Sequence, residues 1–364
     1  MAARPSHFLQ QLALQMQVVA GLQWLCEFQV LACIPLDGTA TFDEVAGISN
    51  VAVGQLQRVV RLMATADFLA EPTSGQIAHT PLSASFVTEP DLLDAGLFLA
   101  QTAGPAALRM SMSQSITEPT LHDRRWPSVG VEAQPKAQRQ LAAYLRYAIL
   151  DEASAIDDVL QKIEWGNLGA TTVVDVHPPS ATTVATLAAL APGLQFVVQL
   201  VSGQEDHSWI ISSLPSSISG QISVQSRASS AVQTFAGPAV YILRIPSPSA
   251  IRPWASIRNQ TVLEVQAHLP ALRMQSSSQL IVASPVLPTA GGIDPEVEAN
   301  MRLHDLTLLQ LSDEHQPNTA EILELITGVT DGTGRLALVR EIQTPTSAAI
   351  ALEMRYQLLD LQMR

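Results

Sequence analysis

Apolar runs separated by polar turns predict a parallel α/β sheet in the second half of the chain. Residues 171–176 form a β-branched run, 181–191 an Ala-rich helix-like segment and 196–199 a second apolar run. A strand, a turn, a helix and a second strand in this order open a parallel sheet. Further strands are predicted at 221–225, 240–244, 279–286, 335–342 and 349–356. The last two are separated by a short polar connection, which predicts an antiparallel hairpin.

The first half of the chain has helical periodicity instead. Residues 8–33 are apolar with few charges, which predicts a long helix buried on more than one face, as at a subunit interface. Segments 41–50 and 51–72 predict two short helices, and 75–86 predicts a β wing followed by a short helix. This is the element order of a winged helix. Apolar residues spaced i, i+3, i+4 and i+7 predict helices through most of 90–163.

We therefore divide the chain into three predicted regions. Residues 1–90 form a winged-helix-like dimerisation domain, 91–165 a helical linker that contributes to a substrate pocket, and 166–364 the α/β domain. The dimer expected from the first region is a homodimer.

Composition and charge narrow the possible partners. The chain has 364 residues, of which 47% are hydrophobic and 15% charged, with a formal net charge of −13. An acidic surface disfavours nucleic acid and anionic membranes as partners. No apolar run reaches the ~18 residues that span a bilayer, and the N-terminus lacks a secretory signal. We therefore expect a cytoplasmic protein, with Cys26 and Cys33 as free thiols.

Several segments of the chain carry a family resemblance. The matching stretches are VVDV (173–176), APGLQFVVQ (191–199), AGPAVYILR (236–244), SSQLIVASPVLP (277–288) and MRLHDLTLLQL (301–311). In these stretches, and in its overall order, the chain resembles the S-adenosylmethionine-dependent O-methyltransferases of plant and fungal natural-product pathways. The resemblance implies a Rossmann-like methyltransferase sheet of seven strands, closed by an antiparallel hairpin, behind an N-terminal winged-helix dimerisation domain.

The residues that carry chemistry in the resembling family are replaced here. Its glycine-rich turn corresponds to His177, Pro178, Pro179 and Ala181, and two of these are prolines, which donate no N–H. The acid that holds the ribose corresponds to Leu200, and the acid near the adenine to Ala228. The catalytic histidine of the resembling family is missing, and Pro248 or Ser249 stands near its position. We therefore expect no bound S-adenosylmethionine, and we find no His/Cys cluster with metal-ligand spacing.

A retained fold without cofactor chemistry predicts a cofactor-independent cyclase. Methyltransferase-like pericyclases of fungal secondary metabolism steer Diels–Alder, hetero-Diels–Alder or Alder-ene closures, and a shaped apolar cavity with one or two donors suffices for such a step. The expected substrate is a polyketide-derived reactive intermediate. Two alternatives stay open: a non-catalytic pseudo-methyltransferase that scaffolds a partner enzyme, and an active O-methyltransferase. An open cavity with polar donors favours the cyclase over the scaffold.

The candidate site residues follow from this resemblance. The candidate catalytic residues are His304, Asp305 and Arg244. The candidate substrate-binding residues are Met112, His122, Trp126, Tyr144, His177, Met301 and Leu308. For Arg244 a structural salt bridge is the alternative, for Tyr144 and Met112 core packing, for His304 a satisfied, partly exposed histidine, and for His177 simple filling of the vacated cofactor volume. For His122 and Trp126, in the loop 118–130, a solvated loop is the alternative to a pocket wall or lid.

Overall fold

The computed structural model describes residues 4–110, 135–149, 152–167, 172–202, 214–235 and 237–359. The chain forms two compact units, Met1–Ile149 and Leu150–Arg364. The division falls inside the predicted helical region 91–165, and the three predicted regions stay a prediction. Among the described residues, no helix has both the length and the apolar character needed to cross a membrane.

The first unit is mainly helical. Its helices are α1 (Pro5–Glu27), α2 (Phe42–Ser49), α3 (Val53–Ala64), α4 (Pro81–Thr88), α5 (Pro90–Phe98), α6 (Gly104–Leu108) and α7 (Pro135–Tyr144). A 3₁₀ turn at Val30–Cys33 and π-helical turns at Leu99–Ala103 and Leu145–Ile149 connect or extend them. Strands β1 (Ala40–Thr41), β2 (Leu69–Ala70) and β3 (Gln76–His79) pair in the order β1-β3-β2.

Side-chain caps and a small apolar core fix the elements of this unit. Thr41 and Glu44 form a capping box that starts α2, because each side chain accepts a hydrogen bond from the other residue's backbone N–H. Leu25, Leu56 and Ile77 are fully buried in the core beneath α2, α3 and β3. The order of α2, α3, β2 and β3 is the one from which a winged helix was predicted, and that assignment stays a prediction.

Helix α1 differs from its sequence prediction. It ends at Glu27, and in the chain by itself only Gly21, Leu25 and Cys26 are buried. The expectation that this helix is buried on more than one face, as at a subunit interface, stays a prediction. Its N-terminal half carries large exposed apolar side chains: Phe8, Leu9, Leu12, Leu14 and Met16. The homodimer, which would cover such side chains, stays a prediction.

The second unit contains the sheet predicted from the apolar runs. Its strands are β4 (Thr172–Val176), β5 (Gln195–Val201), β6 (Ile222–Arg227), β7 (Ala239–Arg244), β8 (Gln279–Pro285), β9 (Gly334–Gln343) and β10 (Ala349–Leu358). They lie in the order β6-β5-β4-β7-β8-β10-β9. The first five of these are parallel neighbours, and β10 runs antiparallel to both β8 and β9. The predicted methyltransferase-type sheet with its closing hairpin is confirmed.

Helices cover both faces of this sheet. They are α8 (Glu152–Leu160), α9 (Thr182–Leu190), α10 (Trp254–Met274), α11 (Pro295–Ser312) and α12 (Thr319–Thr327). Val173 faces a core that contains residues of α8 and α9, while its neighbour Val174 faces a core that contains residues of α10 and α12. Burial on both faces explains why β4 is mainly apolar, with valine at three of its five positions. The parallel strands end at one edge of the sheet, where such folds bind ligands.

Candidate functional site

A cavity of about 410 Å³ lies at the carboxyl edge of the parallel strands. It is formed in the second unit by α8, the end of β4 and the turn after it, the start of α9, the end of β7 with the loop that follows, and α10. Its walls include Ile156, Asp157, Val176, His177, Thr183, Leu243, Arg244, Ile257 and Glu264. Two of the predicted site residues, Arg244 and His177, therefore line the same cavity.

The turn after β4 keeps a glycine-like backbone without glycine. His177 has φ of 48°, in the left-handed region that L-residues other than Gly, Asn and Asp rarely adopt. Its backbone N–H donates to the carbonyl oxygen of Gln199 at 2.8 Å, and its Nε2 lies 3.3 Å from the carbonyl oxygen of Arg227. Burial lowers the pKa of His177. The imidazole therefore stands where the resembling family has a bare backbone.

A buried ion pair joins the end of β6 to α10. The Nη2 of Arg227 donates to Oε2 of Glu264 at 2.8 Å, and both side chains are nearly inaccessible to solvent. Glu264 also accepts a hydrogen bond from the backbone N–H of Ser230. Burial alone would raise the pKa of Glu264, but the bonds from Arg227 and Ser230 outweigh it and lower that pKa. The pair is therefore held in its charged form inside the unit.

A neutral histidine and two amides continue this network. The Nδ1 of His268 lies 2.7 Å from the carbonyl oxygen of Glu264, one helical turn earlier, so Nδ1 carries the proton. Burial lowers the pKa of His268 to about 4. The side chains of Gln199 and Gln233 exchange two amide hydrogen bonds of 2.9 Å each. These partners fix the ends of β5 and β6 against α10.

On the other side of the cavity, Arg244 forms a buried ion pair with Asp175 of β4. The nearby Asp157 of α8 accepts a hydrogen bond from the hydroxyl of Thr183 at 2.6 Å, through Oδ1. Burial raises the pKa of Asp157, although Thr183 and Arg244 act in the opposite direction. The guanidinium of Arg244 is therefore already neutralised, while Asp157 faces the cavity as an acceptor.

The other predicted residues lie elsewhere. Met301, His304 and Leu308 share the buried face of α11. The Nδ1 of His304 has no hydrogen-bond partner among the described residues, and burial lowers its pKa to about 4. Asp305 accepts a hydrogen bond from the backbone N–H of Gln316 at 2.8 Å, which fixes the segment after α11. These α11 residues are not part of the cavity wall.

Four further positions complete the comparison with the sequence. Tyr144 is buried in the first unit, where its ring centroid lies 5.2 Å from that of Phe98. Leu200, at the position of the ribose acid, belongs to the hydrophobic core. Met112, His122 and Trp126 lie outside the described residues. Within the part of the chain that is described, no cluster of three His, Cys, Asp or Glu side chains could hold a metal ion.

Sequence reasoning missed Arg227, Glu264 and Asp157. Arg227 and Glu264 are 37 positions apart in the chain, and no motif marks either of them. A charged residue at the end of a predicted strand was the only available signal for Arg227, and by itself it is a weak one.

Proteins of known fold share the architecture. The N,N-8-amino-8-demethyl-D-riboflavin dimethyltransferase RosA of Streptomyces davawensis has a TM-score of 0.63 and 16% identity, over 98% of this chain and all of that one. A structure described as a pericyclic reaction enzyme has a TM-score of 0.61 and 14% identity, over 98% of this chain and 90% of its own. Both are enzymes, but at this identity the likeness shows the fold alone.

Curated relatives are far closer in sequence. The dothistromin biosynthesis regulatory protein aflJ of Dothistroma septosporum is 36% identical, over 98% of this chain and 85% of that protein. A transcriptional coactivator of Pseudocercospora fijiensis is 42% identical, over 94% of this chain and 96% of that protein. The aflatoxin cluster transcriptional coactivator aflS of Aspergillus flavus is 36% identical, over 98% of this chain and 86% of that protein. No family model matches the chain.

These relatives overturn the cyclase prediction. They match almost end to end and are named as regulators and coactivators, whereas the likeness to pericyclic enzymes is confined to the fold. The prediction of a cofactor-independent cyclase with a polyketide-derived substrate is therefore wrong, and the catalytic roles assigned to His304, Asp305 and Arg244 depended on it. The chain belongs to the family of fungal proteins represented by the regulatory protein aflJ and the coactivator aflS.

Proposed function

We propose that this chain is a non-enzymatic transcriptional coactivator of a fungal secondary-metabolite gene cluster, built on a methyltransferase-type fold. The observation that carries the proposal is the near full-length match, at 36–42% identity, to proteins named as a dothistromin biosynthesis regulatory protein, an aflatoxin cluster transcriptional coactivator and a transcriptional coactivator. The alternative of a non-catalytic pseudo-methyltransferase foresaw a partner-binding body, although it assumed that the partner was an enzyme.

Charge supports action through a protein partner instead of direct DNA contact. The formal net charge is −13, and DNA repels an acidic protein at short range. The coactivator would therefore act by binding a regulator that itself contacts DNA. An acidic body also complements the basic surface that a DNA-binding regulator needs.

Deletion of the gene tests this function. We expect transcripts of the neighbouring biosynthetic genes to fall by about tenfold, as for a coupling of ~1.4 kcal/mol between coactivator and activator. Quantitative RNA measurement in the deletion strain and in a complemented strain provides the readout. Unchanged transcripts together with accumulation of one pathway intermediate would contradict the proposal, because that is the phenotype of a missing enzyme.

We also propose that S-adenosylmethionine does not bind. Leu200 lies in the core where the family has a hydroxyl acceptor, and the Arg227–Glu264 pair occupies the edge of the sheet after β6. Calorimetric titration is expected to show no binding tighter than about 1 mM, which corresponds to ~4 kcal/mol. An active O-methyltransferase titrated in the same buffer is the positive control. Micromolar binding to this chain would disprove the proposal.

A further inference from the structure

The cavity at the sheet edge is not explained by a coactivator that uses only its outer surface. Its volume of about 410 Å³ falls within the range of small-molecule pockets, roughly 300–1,000 Å³. Its position also matters, because folds with this sheet bind ligands at the carboxyl ends of the parallel strands. The walls and the charges of the cavity therefore indicate what kind of ligand it could bind.

Apolar side chains make up much of the wall. Ile156 comes from α8, Val176 from β4, Leu243 from β7 and Ile257 from α10. Each of the four is at most 6% exposed, so they are held firmly by the cores behind them. A ligand with an apolar body would bury its surface against these four elements, which are positioned independently of any ligand.

The wall contains three carboxylates, Glu152, Asp157 and Glu264, and two arginines, Arg244 and Arg252, of which one of each kind is in a buried ion pair. Arg244 is paired with Asp175, and Glu264 with Arg227. An anionic ligand would have to compete with Asp175 for Arg244, and Arg252, the other arginine of the wall, is exposed. A strongly cationic ligand would in turn meet the Arg244 guanidinium beside Asp157. The near balance of charge favours an uncharged ligand.

Asp157 supplies a directional contact for such a ligand. Thr183 donates its hydroxyl hydrogen to Oδ1, and a carboxylate has roughly four acceptor positions on its two oxygens. A ligand hydroxyl that donates to a carboxylate forms a charge-assisted hydrogen bond, about twice as strong as a neutral one. Phenolic hydroxyls donate more strongly than aliphatic ones because they are more acidic.

We infer that this cavity binds a small uncharged phenol, a hydroxylated aromatic molecule, whose hydroxyl donates a hydrogen bond to Asp157. The coactivator would thereby respond to a small molecule, and this regulatory meaning rests on the proposed function. The binding itself does not, because it depends only on the walls and on Asp157.

A matched pair of probes tests the inference on the purified full chain. The probes are 3,5,4′-trihydroxystilbene, followed by its fluorescence, and its trimethyl ether, which keeps the carbon skeleton and lacks the hydroxyl donors. We expect the phenol to bind at least about tenfold more tightly than the ether, as for the loss of one charge-assisted hydrogen bond. Asp157→Asn should reduce that ratio to within about threefold, because the amide oxygen is an uncharged acceptor.

Asp158→Asn is the control variant, since this neighbouring carboxylate does not line the cavity. It should keep the wild-type ratio, and thermal melting of both variants checks their folding. If Asp157→Asn does not fold, the ratio of the affinities of the wild-type chain for the two probes still tests the inference. Equal affinity for the two probes, binding of neither probe, an equal effect of both variants, or tighter binding of spermidine than of the phenol would each overturn the inference.

An expression assay separates this inference from the proposed function. If gene deletion lowers cluster transcripts but the phenol does not bind, the coactivator proposal is supported and the ligand-site inference is refuted. If the phenol binds as expected but deletion leaves transcripts unchanged, the ligand-site inference is supported and the coactivator proposal is refuted.

Discussion

Replacing Glu264 with alanine is expected to lower the free energy of unfolding by about 3–5 kcal/mol, because it leaves the buried charge of Arg227 unpaired. Arg227 and Glu264 are each only about 5–6% exposed at the side chain. The guanidinium keeps its hydrogen bonds to the carbonyl oxygen of Ala231, but these do not neutralise its charge. The backbone N–H of Ser230 loses its acceptor as well.

Urea denaturation of the wild type and of Glu264→Ala measures this loss. Glu71→Ala is the matched control, since it removes the acid of the more exposed Arg61–Glu71 pair in the first unit. Glu71→Ala should lower the free energy of unfolding much less, because water solvates the Arg61 side chain that remains. The double variant Arg227→Met with Glu264→Leu should recover most of the stability. Equal losses for Glu264→Ala and Glu71→Ala would show that the buried pair has no special weight.

Acidification from pH 7.5 to 5 is expected to destabilise the chain by roughly 2 kcal/mol for each of two buried histidines. Burial lowers the pKa of both His268 and His304 from 6.5 to about 4. Between these values the unfolded state binds protons that the folded state does not. The stabilisation is therefore complete above pH 6.5 and is lost progressively as the pH falls towards 4. The pKa of Glu264 is lowered below its ordinary range by its bonds from Arg227 and Ser230, so its titration adds little between pH 7.5 and 5.

The variant His304→Gln isolates one of the two contributions. It removes a buried imidazole whose Nδ1 has no partner within the described part of the chain, so the fall in stability between pH 7.5 and 5 should shrink by about half. The exposed His7, changed to Gln, is the control and should leave the fall unchanged. Urea midpoints at several pH values provide the measurement. An unaltered pH dependence in His304→Gln would show that the pKa of His304 is the same in the folded and the unfolded chain.

The sheet was predictable because burial on both faces leaves a strong local signal. In β4 the neighbours Val173 and Val174 face opposite cores, so valine occupies three of the five positions, and the strand is recognisable as an apolar run although it contains Asp175. Every predicted strand is present, with ends that differ by a few residues. The end of helix α1 was less predictable: the apolar run continues to residue 33, whereas the helix ends at Glu27 and a 3₁₀ turn follows at Val30–Cys33.

The site was less predictable because its groups meet only in three dimensions. Asp157 and Thr183 are 26 positions apart, and Arg227 and Glu264 are 37 apart. Their pairing depends on how α8 and α10 lie against the ends of the strands. The function was misjudged for a different reason. Lost cofactor residues at Leu200 and His177 fit any protein that no longer transfers methyl groups, and they do not distinguish an altered enzyme from a regulator.

The pair at the end of β6 also bears on how such a chain could evolve. Changing Leu200 to aspartate, which corresponds to the family's ribose acid, would introduce a carboxylate into the hydrophobic core. Removing Glu264 to open the sheet edge would leave the buried Arg227 without its counter-ion. Each step costs several kcal/mol, a large part of the ~5–15 kcal/mol that holds a domain folded. Single mutations back towards methyl transfer therefore pass through chains that fold poorly. Selection would purge those intermediates, so if the proposed function and the proposed loss of S-adenosylmethionine binding hold, that loss is easier to reach than to reverse.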